Sequence, residues 1–578
     1  MDRPAFLPDI ILNCQVQKIN IMRHFCSIFL FLFSLACFSQ ETIHISIYPK
    51  DTANPIASDF AGLSFEKNCL NKHWFSPKRE TLIQLFRTCG IKSLRVGANA
   101  VDEDTFSTDS SSTLFTRSEL DNLFLFAKSA GCKIVMGINL KDTNYSLAAT
   151  EASYVIQNHP DELFGFEVGN EPDLYDSNTY RNPPYTLKDF EREYKVYYDS
   201  IRGRESKAVF TGPASSSHIT EFTEPFLRDM DIKISISMLT QHYYVAKADT
   251  DTTTNHKQIV TMLSAEKLSK VSADAVSLVN CAKSSKIPFR MSETNSLYHG
   301  GQWGVSNTFA SALWALDYMY KLAEDSCAGV NIHGGLDGPY TVFSKYDNNY
   351  RANPIAYGIL AFQVGSKGKF IASTVINDKI NLDSYSVRDS LKNTYTTIIN
   401  KDTLKDAIIM LEVRDSSYHR ADSNYMSAEY LQLSSASLRD TTTVTLGGQV
   451  VTSSGTIGPY TWLSSTITSH MAQIPVPKGS AVVIRFNHKI GNSINDYSGR
   501  NKHFLNLYPN PASEKVTLVS DITEHSIISI YNLQGQLLMQ QQVQQGKTDI
   551  DISELAKGVY ILRLYSNARV EAGRIIKE

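Results

Sequence analysis

Between about residue 60 and residue 335, eight short apolar runs rich in β-branched residues alternate with longer amphipathic segments. The runs are GLSFE (62–66), SLRVGA (93–98), KIVMGIN (133–139), LFGFEVGNE (163–171), AVFTGPA (208–214), ISMLTQHYY (236–244), FRMSETN (289–295) and AGVNIHGG (328–335). The intervening segments, such as RSELDNLFLFAKSAG and TLKDFEREYKVYYDSIRG, carry apolar residues at helical spacing. Strand runs separated by helices specify parallel pairing, because a parallel crossover needs a long connection. No Gly-rich phosphate loop follows any run, which favours a closed (β/α)8 TIM barrel over an open doubly wound sheet. The expected class is therefore α/β, with the barrel spanning 59–356.

The pattern changes at about residue 357. Up to 489 the chain is rich in Thr, Ser, Val and Ile with frequent turn residues, as in TTTVTLGGQVVTSSGTIGPYTWL. This predicts an antiparallel β-sandwich, joined by an early strand within 41–58 (TIHISIYP). A polar linker covers 490–504, and an all-β unit occupies 505–578. The formal net charge of −3 argues against a general nucleic-acid binder.

The first forty residues form a separate segment. From Met22 a short basic region (Arg23, His24) leads into an apolar stretch from Phe25 to Phe38, followed by Ser39 and Gln40. This has the shape of a cleaved secretory signal, and translation is expected to begin at Met22. An uncleaved anchoring helix is the alternative; after cleavage no stable membrane span is expected. The mature chain keeps Cys69, Cys89, Cys132, Cys281 and Cys327, with neither a C-x-x-C spacing nor a disulfide framework. They are expected to be buried apolar side chains, and no metal or cofactor is implied.

Reactive groups in a barrel gather at the C-terminal ends of its strands. Here those ends carry Glu66, then Asn99 and Asp102, then Asn170 and Glu171, then His242, Tyr243 and Tyr244, then Glu293, Thr294 and Asn295. Pro172 restricts the residue before it, so Glu171 is expected to be extended and to point in a defined direction. Glu171 and Glu293 fall on strands four and seven, facing each other across the barrel mouth. Paired carboxylates are the minimum machinery for glycoside hydrolysis, one protonating the leaving oxygen and the other stabilising or trapping the oxocarbenium-like sugar. The bland alternative is a pair of structural carboxylates.

Two resemblances sharpen this reading. The stretches GFEVGNEPDLY and MSETNSLYHGGQWGVSNTFASALWALDYMYKLAEDSCAGVNIHGG, with LRVGANAVD and QHYY, resemble glycoside hydrolase family 79, the β-glucuronidases and heparanase-like enzymes. The resemblance runs over most of 55–365. It implies a retaining two-glutamate enzyme acting on glucuronic-acid-containing glycans or glycosides, with Glu171 as acid/base and Glu293 as nucleophile. Glu171 should then have a raised pKa, while Glu293 stays ionised through hydrogen-bond donors. Strand alternation puts His242 and Tyr244 on one face, which makes Tyr244 the candidate donor to Glu293. Asn170 is the candidate ligand of the sugar 2-hydroxyl. Glu66, Asn99, Asp102 and His242 are further sugar-binding candidates. Gly300, Gly301, Tyr340 and Tyr298 resemble the segments that hold the uronate carboxylate.

This sequence departs from the family at His299, where heparanase has glycine, and at Ala98, which replaces a glycine and is expected to be harmless. No dense Lys/Arg run lies near the site-forming loops, so exo action or a weakly sulfated polymer is expected rather than cleavage of long sulfated chains. A retaining arabinofuranosidase or xylosidase, or a non-catalytic surface carbohydrate-binding protein, are the alternatives.

The second resemblance is at the C-terminus. Tyr508-Pro509-Asn510-Pro511, Tyr531-Asn532-Leu533-Gln534-Gly535 and Gly558-Val559-Tyr560 stand in the order and spacing of the type IX secretion system sorting domain. It implies engagement of that machinery through 505–578 and a secreted or outer-surface location.

Overall fold

Each apolar run finds a buried surface on both faces and becomes a barrel strand. The computed structural model describes residues 40–112, 114–228, 234–377, 379–417, 420–465, 467–468, 470–488, 506–520, 526–533, 536–543, 546–565 and 570–578. The expected leader, through Ser39, and the linker at 490–504 lie outside the described residues. After an opening strand β1 (Gln40–Pro55), the barrel strands are β2 (Ala61–Glu66), β3 (Ser93–Gly97), β4 (Lys133–Ile138), β5 (Leu163–Val168), β6 (Phe210–Ser215), β7 (Met238–Lys247), β8 (Phe289–Tyr298) and β9 (Gly329–Gly334). They close in chain order, β9 pairing in parallel with β2.

The helices between them begin where the sequence supplies caps. These are α1 (Glu80–Thr88), α2 (Arg117–Ala130), α3 (Tyr145–Asn158), α4 (Leu187–Arg204), α5 (Glu224–Arg228), α6 (Asn255–Met262), α7 (Ala265–Ser284), α8 (Phe309–Glu324) and α9 (Pro354–Gly365). Thr116 with Glu119 opens α2, and Thr186 with Asp189 opens α4, each as a capping box. Such a cap typically contributes about 1 kcal/mol. In α7 the buried face is Val271, Ala275, Leu278, Val279 and Ala282, at helical spacing. Among the described residues no helix is long and apolar enough to cross a membrane.

The barrel interior is layered with polar groups. At the floor Arg290 donates to Asn331 Oδ1 at 2.6 Å and to the carbonyls of Asp59 and Phe60 at 3.0 and 3.1 Å. Burial pushes its pKa down to about 10. Above it Arg95, 1% exposed, donates to Glu167 at 2.5 Å and to Ser64 at 3.2 Å. This second layer supports the groups at the mouth.

The expected sandwich differs from the observed sheet in three respects. The segment from 357 is still part of α9, whose Gly358 lies so close to Ala312 of α8 that a Cβ would come within 2.2 Å of its carbonyl oxygen. The β structure starts at Lys369 and forms one curled sheet, with twelve strands among the described residues. Nor is it wholly antiparallel. β1 pairs antiparallel with Lys369–Ile376 but parallel with Asp406–Asp415, because a strand arriving from the N-terminus fills the gap between two strands of opposite direction. Its alternating Ile43, Ile45 and Ile47 are at most 1% exposed. Each buried isoleucine stabilises by roughly 1.5–3 kcal/mol. Barrel and sheet form one compact unit. They are pinned by Lys401, which reaches Asp317 of α8 at 2.5 Å and Asp383 at 2.6 Å.

The C-terminal unit holds a three-stranded and a four-stranded sheet around Val516, Leu518, Ile530, Ile550, Leu562 and Ile575. Asn510 of the Pro-Asn-Pro motif is used structurally. Its side chain donates to the carbonyl of Arg574 at 2.6 Å and accepts from the amide of Ile576 at 2.8 Å. Gln534 and Gly535 of the second motif lie outside the described residues.

Candidate active site

At the C-terminal end of the barrel a cleft of about 780 Å3 opens, lined by both Glu171 and Glu293. One carboxylate oxygen from each, with a ring nitrogen of His242, lie within 4.8 Å of one another. The sequence expectation about Glu171's backbone is corrected. The residue is left-handed (φ 49°, ψ 53°), because the chain must turn sharply from β5 into the short helical turn Pro172–Leu174. Its amide donates to the carbonyl of Ala214 at 2.9 Å, which ties the turn to β6. A non-glycine residue in this region stores strain, and such strain concentrates at functional sites.

Glu293 sits deeper, its side chain 6% exposed. Tyr244 donates its hydroxyl to Oε1 at 2.7 Å, and Arg95 donates to Oε2 at 2.7 Å. Burial alone would raise the pKa of Glu293. The charges of His333 and His242 when protonated, the Arg95 guanidinium and the Tyr244 hydroxyl outweigh it and hold the carboxyl well below the usual range. Glu171 has a different environment: its Oε1 lies 3.0 Å from His242 Nδ1, and its side chain is 16% exposed. His242 Nε2 is buried and has no hydrogen-bond partner among the described residues.

The other predicted residues separate into those that face the cleft and those that support it. Glu66, Asn99, His242, Tyr244, Tyr298, Gly300 and Tyr340 line it. Glu66 accepts from the amide of Ala100 at 2.7 Å, and burial, reinforced by the charge of Glu293, raises its pKa. Asn170 does not line the cleft. Its Oδ1 accepts from Arg95 at 2.9 Å and its amide nitrogen donates to Asn99 at 3.1 Å. Asp102 is corrected from sugar ligand to scaffold. It is 1% exposed, and its carboxylate is consumed by Tyr175, Leu140, Lys141 and Asn170. Gly301 is likewise not a lining residue. It passes beneath Tyr340, where a Cβ would come within 2.8 Å of the tyrosine's own Cβ.

Three buried neighbours of the carboxylate pair are absent from the sequence expectation. Arg95 holds Glu293, Asn170 and Glu167 together. Glu167 also accepts from Thr240 at 2.9 Å. His333, at the end of β9, stands 3.7 Å from both Glu293 and Glu66. The only sequence signal for them was a charged or polar residue inside an otherwise apolar run, as in SLRVG and VNIHGG.

Ala98, expected to be harmless, stands in an unusual backbone conformation. It is fully buried with φ 55° and ψ −159°, a conformation that glycine alone adopts without strain. The turn it makes delivers the Ala100 amide to Glu66. Ala98→Gly is expected to stabilise the protein by about 1 kcal/mol, relief of strain exceeding the loss of one methyl. The measurement is the urea midpoint; a lower midpoint would contradict the strain argument. His299, the other departure, also has positive φ (66°) and lines the cleft beside Gly300.

Residues 506–578 match the family described as a secretion system C-terminal sorting domain. That domain marks the protein as secreted or exposed at the cell surface. A β-glucuronidase of Aspergillus niger is 22% identical over 419 residues, covering 66% of this chain and 73% of that protein. One from Neurospora crassa is 24% identical over 207 residues, covering 32% of this chain and 36% of that protein. Among solved structures, a 4-O-α-L-rhamnosyl-β-D-glucuronidase from Fusarium oxysporum superposes with a TM-score of 0.64 at 16% identity, covering 76% of this chain and 99% of that one. A family 51 arabinofuranosidase from Xanthomonas axonopodis gives 0.57 at 12% identity, covering 77% and 99%. These superpositions establish the shared barrel-and-sheet architecture.

Proposed function

We propose that this protein is a secreted glycoside hydrolase that releases β-linked glucuronic acid with retention of configuration, as its likeness to the β-glucuronidases suggests. The observation that carries the reading is the carboxylate pair, its nearest oxygens within 4.8 Å across one cleft. Retaining enzymes hold their carboxyl groups about 5–5.5 Å apart, whereas inverting enzymes need about 6.5–9.5 Å to admit a water.

In the first step Glu171 gives its proton to the glycosidic oxygen as the C1–O bond breaks, and a Glu293 oxygen bonds to C1. In the second, Glu171 takes a proton from water, whose oxygen displaces Glu293 from C1. The donors on Glu293 suit this role, since Tyr244 and Arg95 keep it ionised before attack and stabilise it as a leaving group afterwards. The His242 contact holds Glu171 toward the cleft. The uronate carboxylate is assigned to the Gly300 turn and Tyr340, where backbone N–H groups and a hydroxyl serve without a fixed cation. Asn170 reaches the sugar through Asn99 rather than directly.

The architecture is shared with arabinofuranosidases, so the discriminating test is substrate choice. Chromogenic β-glucuronide, β-glucoside and α-L-arabinofuranoside should be offered to the mature protein side by side. Turnover of the glucuronide, with the glucoside at least about 100-fold slower, is expected from loss of the bonds to the carboxylate. Equal turnover, or cleavage of an arabinofuranoside alone, would contradict the uronate assignment.

A further inference from the structure

Glu171 is placed by its backbone more than by its side chain. Among the described residues its carboxylate hydrogen-bonds only His242, so the direction in which the acid points is set by the turn that carries it. That turn is strained on both sides of one hydrogen bond. Glu171, at φ 49°, donates its amide to the carbonyl of Ala214 in β6, which is itself at φ 59°. Two non-glycine residues in the left-handed region persist only where the surrounding contacts over-determine them.

Those contacts converge on Asp173, two residues after the acid. Its side chain is only 1% exposed. One carboxylate oxygen accepts from the Ser216 amide at 2.9 Å. The other accepts from the amides of Ser217 and His218 at 3.1 and 3.3 Å, and lies 3.0 Å from His218 Nδ1. Three successive amides curled around one carboxylate make an anion-binding concavity, and here the chain fills it with its own aspartate. Hydrogen bonds to an ionised acceptor are roughly twice as strong as neutral ones. Asp173 does not line the cleft, but the segments it joins do: Glu171 and Leu174 on one side, Ser216, Ser217 and Ile219 on the other.

Resting on the glucuronidase reading above, we propose that Asp173 is a positioning residue for the general acid. By clamping the loop after β6 against the strained turn, it fixes where Glu171 meets the glycosidic oxygen. A misplacement of about 1 Å at a reacting group can cost about 10^2-fold in rate. Glu293 is carried by β8 and held by Tyr244 and Arg95, so its attack does not depend on this clamp.

The test is the Asp173→Asn variant, which keeps the size of the side chain but turns one acceptor into an NH2 group facing amide hydrogens. For a glucuronosyl disaccharide, whose leaving sugar needs the acid, kcat/KM should fall at least about tenfold; for a highly activated aryl glucuronide it should stay within about threefold of wild type. The ratio of the two values is the readout, because a loss of folded protein lowers both by the same factor. Equal losses on both substrates, or no loss on the disaccharide, would overturn the positioning role. Hydrogen exchange of the peptide spanning 214–219 tests the clamp itself. Ser217 and His218 are exposed residues, yet their amides should be protected in the wild type, and Asp173→Asn should speed their exchange at least about tenfold. Free exchange in the wild type would overturn the proposal even if the variant failed to fold, and unchanged exchange in a folded variant would do the same. If the wild type cleaves neither glucuronide, the glucuronidase reading itself falls and the positioning role falls with it, whatever the exchange shows.

Discussion

Replacing Glu293 by Gln is expected to lower kcat by about 10^4-fold or more, because an amide cannot form the covalent bond that divides the reaction into two easier steps. Replacing Glu171 by Gln should instead produce a loss that depends on the leaving group. With a sugar leaving group, the absence of the proton donor should cost roughly 10^2–10^4-fold. With a highly activated aryl leaving group, bond cleavage needs little acid and only the second step is slowed. A burst of phenol followed by slow turnover should then appear, together with a lowered KM. Added azide needs no base, so it should speed that second step and yield a β-glycosyl azide. In Glu293→Gly azide should enter from the opposite face and yield the α-azide. Equal losses in both variants for every leaving group, with no azide effect, would contradict the division of labour.

The second large effect concerns stability. Arg95 is placed between Glu167 and Glu293, at 2.5 and 2.7 Å, and all three side chains are at most 6% exposed. Substitution of Arg95 by Met leaves two buried carboxylates facing each other with their shared counter-charge gone. Breaking a buried pair in this way typically costs about 3–5 kcal/mol. Chemical unfolding followed by tryptophan fluorescence should therefore show a large fall in midpoint. A second substitution, Glu167→Gln, should recover part of the loss, since it removes one of the stranded charges. An Arg95→Met protein as stable as wild type, or a double variant no better than the single, would show that the column is not held by charge.

Much of the barrel was readable because each strand announces itself locally. GLSFE, KIVMGIN and the other runs are short, largely apolar and bounded by turns, and all eight became barrel strands. The strand alternation of Tyr244 against Tyr243 is equally local, and it put the correct tyrosine against Glu293. What failed to show was whatever depends on closing the barrel. Arg95 and Glu167 are far apart in sequence, and nothing in SLRVG says which carboxylates its arginine will meet until eight strands share an interior. His333 was hidden for the same reason. Asp102 was a sugar-binding candidate through the family resemblance, but the turn rotates it inward, where Tyr175 and three backbone amides consume its oxygens.

Backbone conformation was the other hidden quantity. Pro172 suggested an extended Glu171, yet β5 must reverse direction at that residue and the left-handed region does so in one step. Ala98 was misjudged as a neutral replacement because a glycine's torsion angles are invisible without coordinates.

A retaining double displacement passes through a covalent glycosyl-enzyme, which can be looked for directly. A 2-deoxy-2-fluoro-β-glucuronosyl fluoride should react with the mature protein quickly and be released slowly, because the fluorine destabilises both oxocarbenium-like transition states while the fluoride leaving group rescues only the first. Intact-protein mass spectrometry and peptide mapping should then find one fluoroglucuronosyl group, attached to Glu293 and absent in Glu293→Gln. A protein that hydrolyses glucuronides yet never carries the label, or carries it on another residue, would contradict the assignment of Glu293 as the nucleophile.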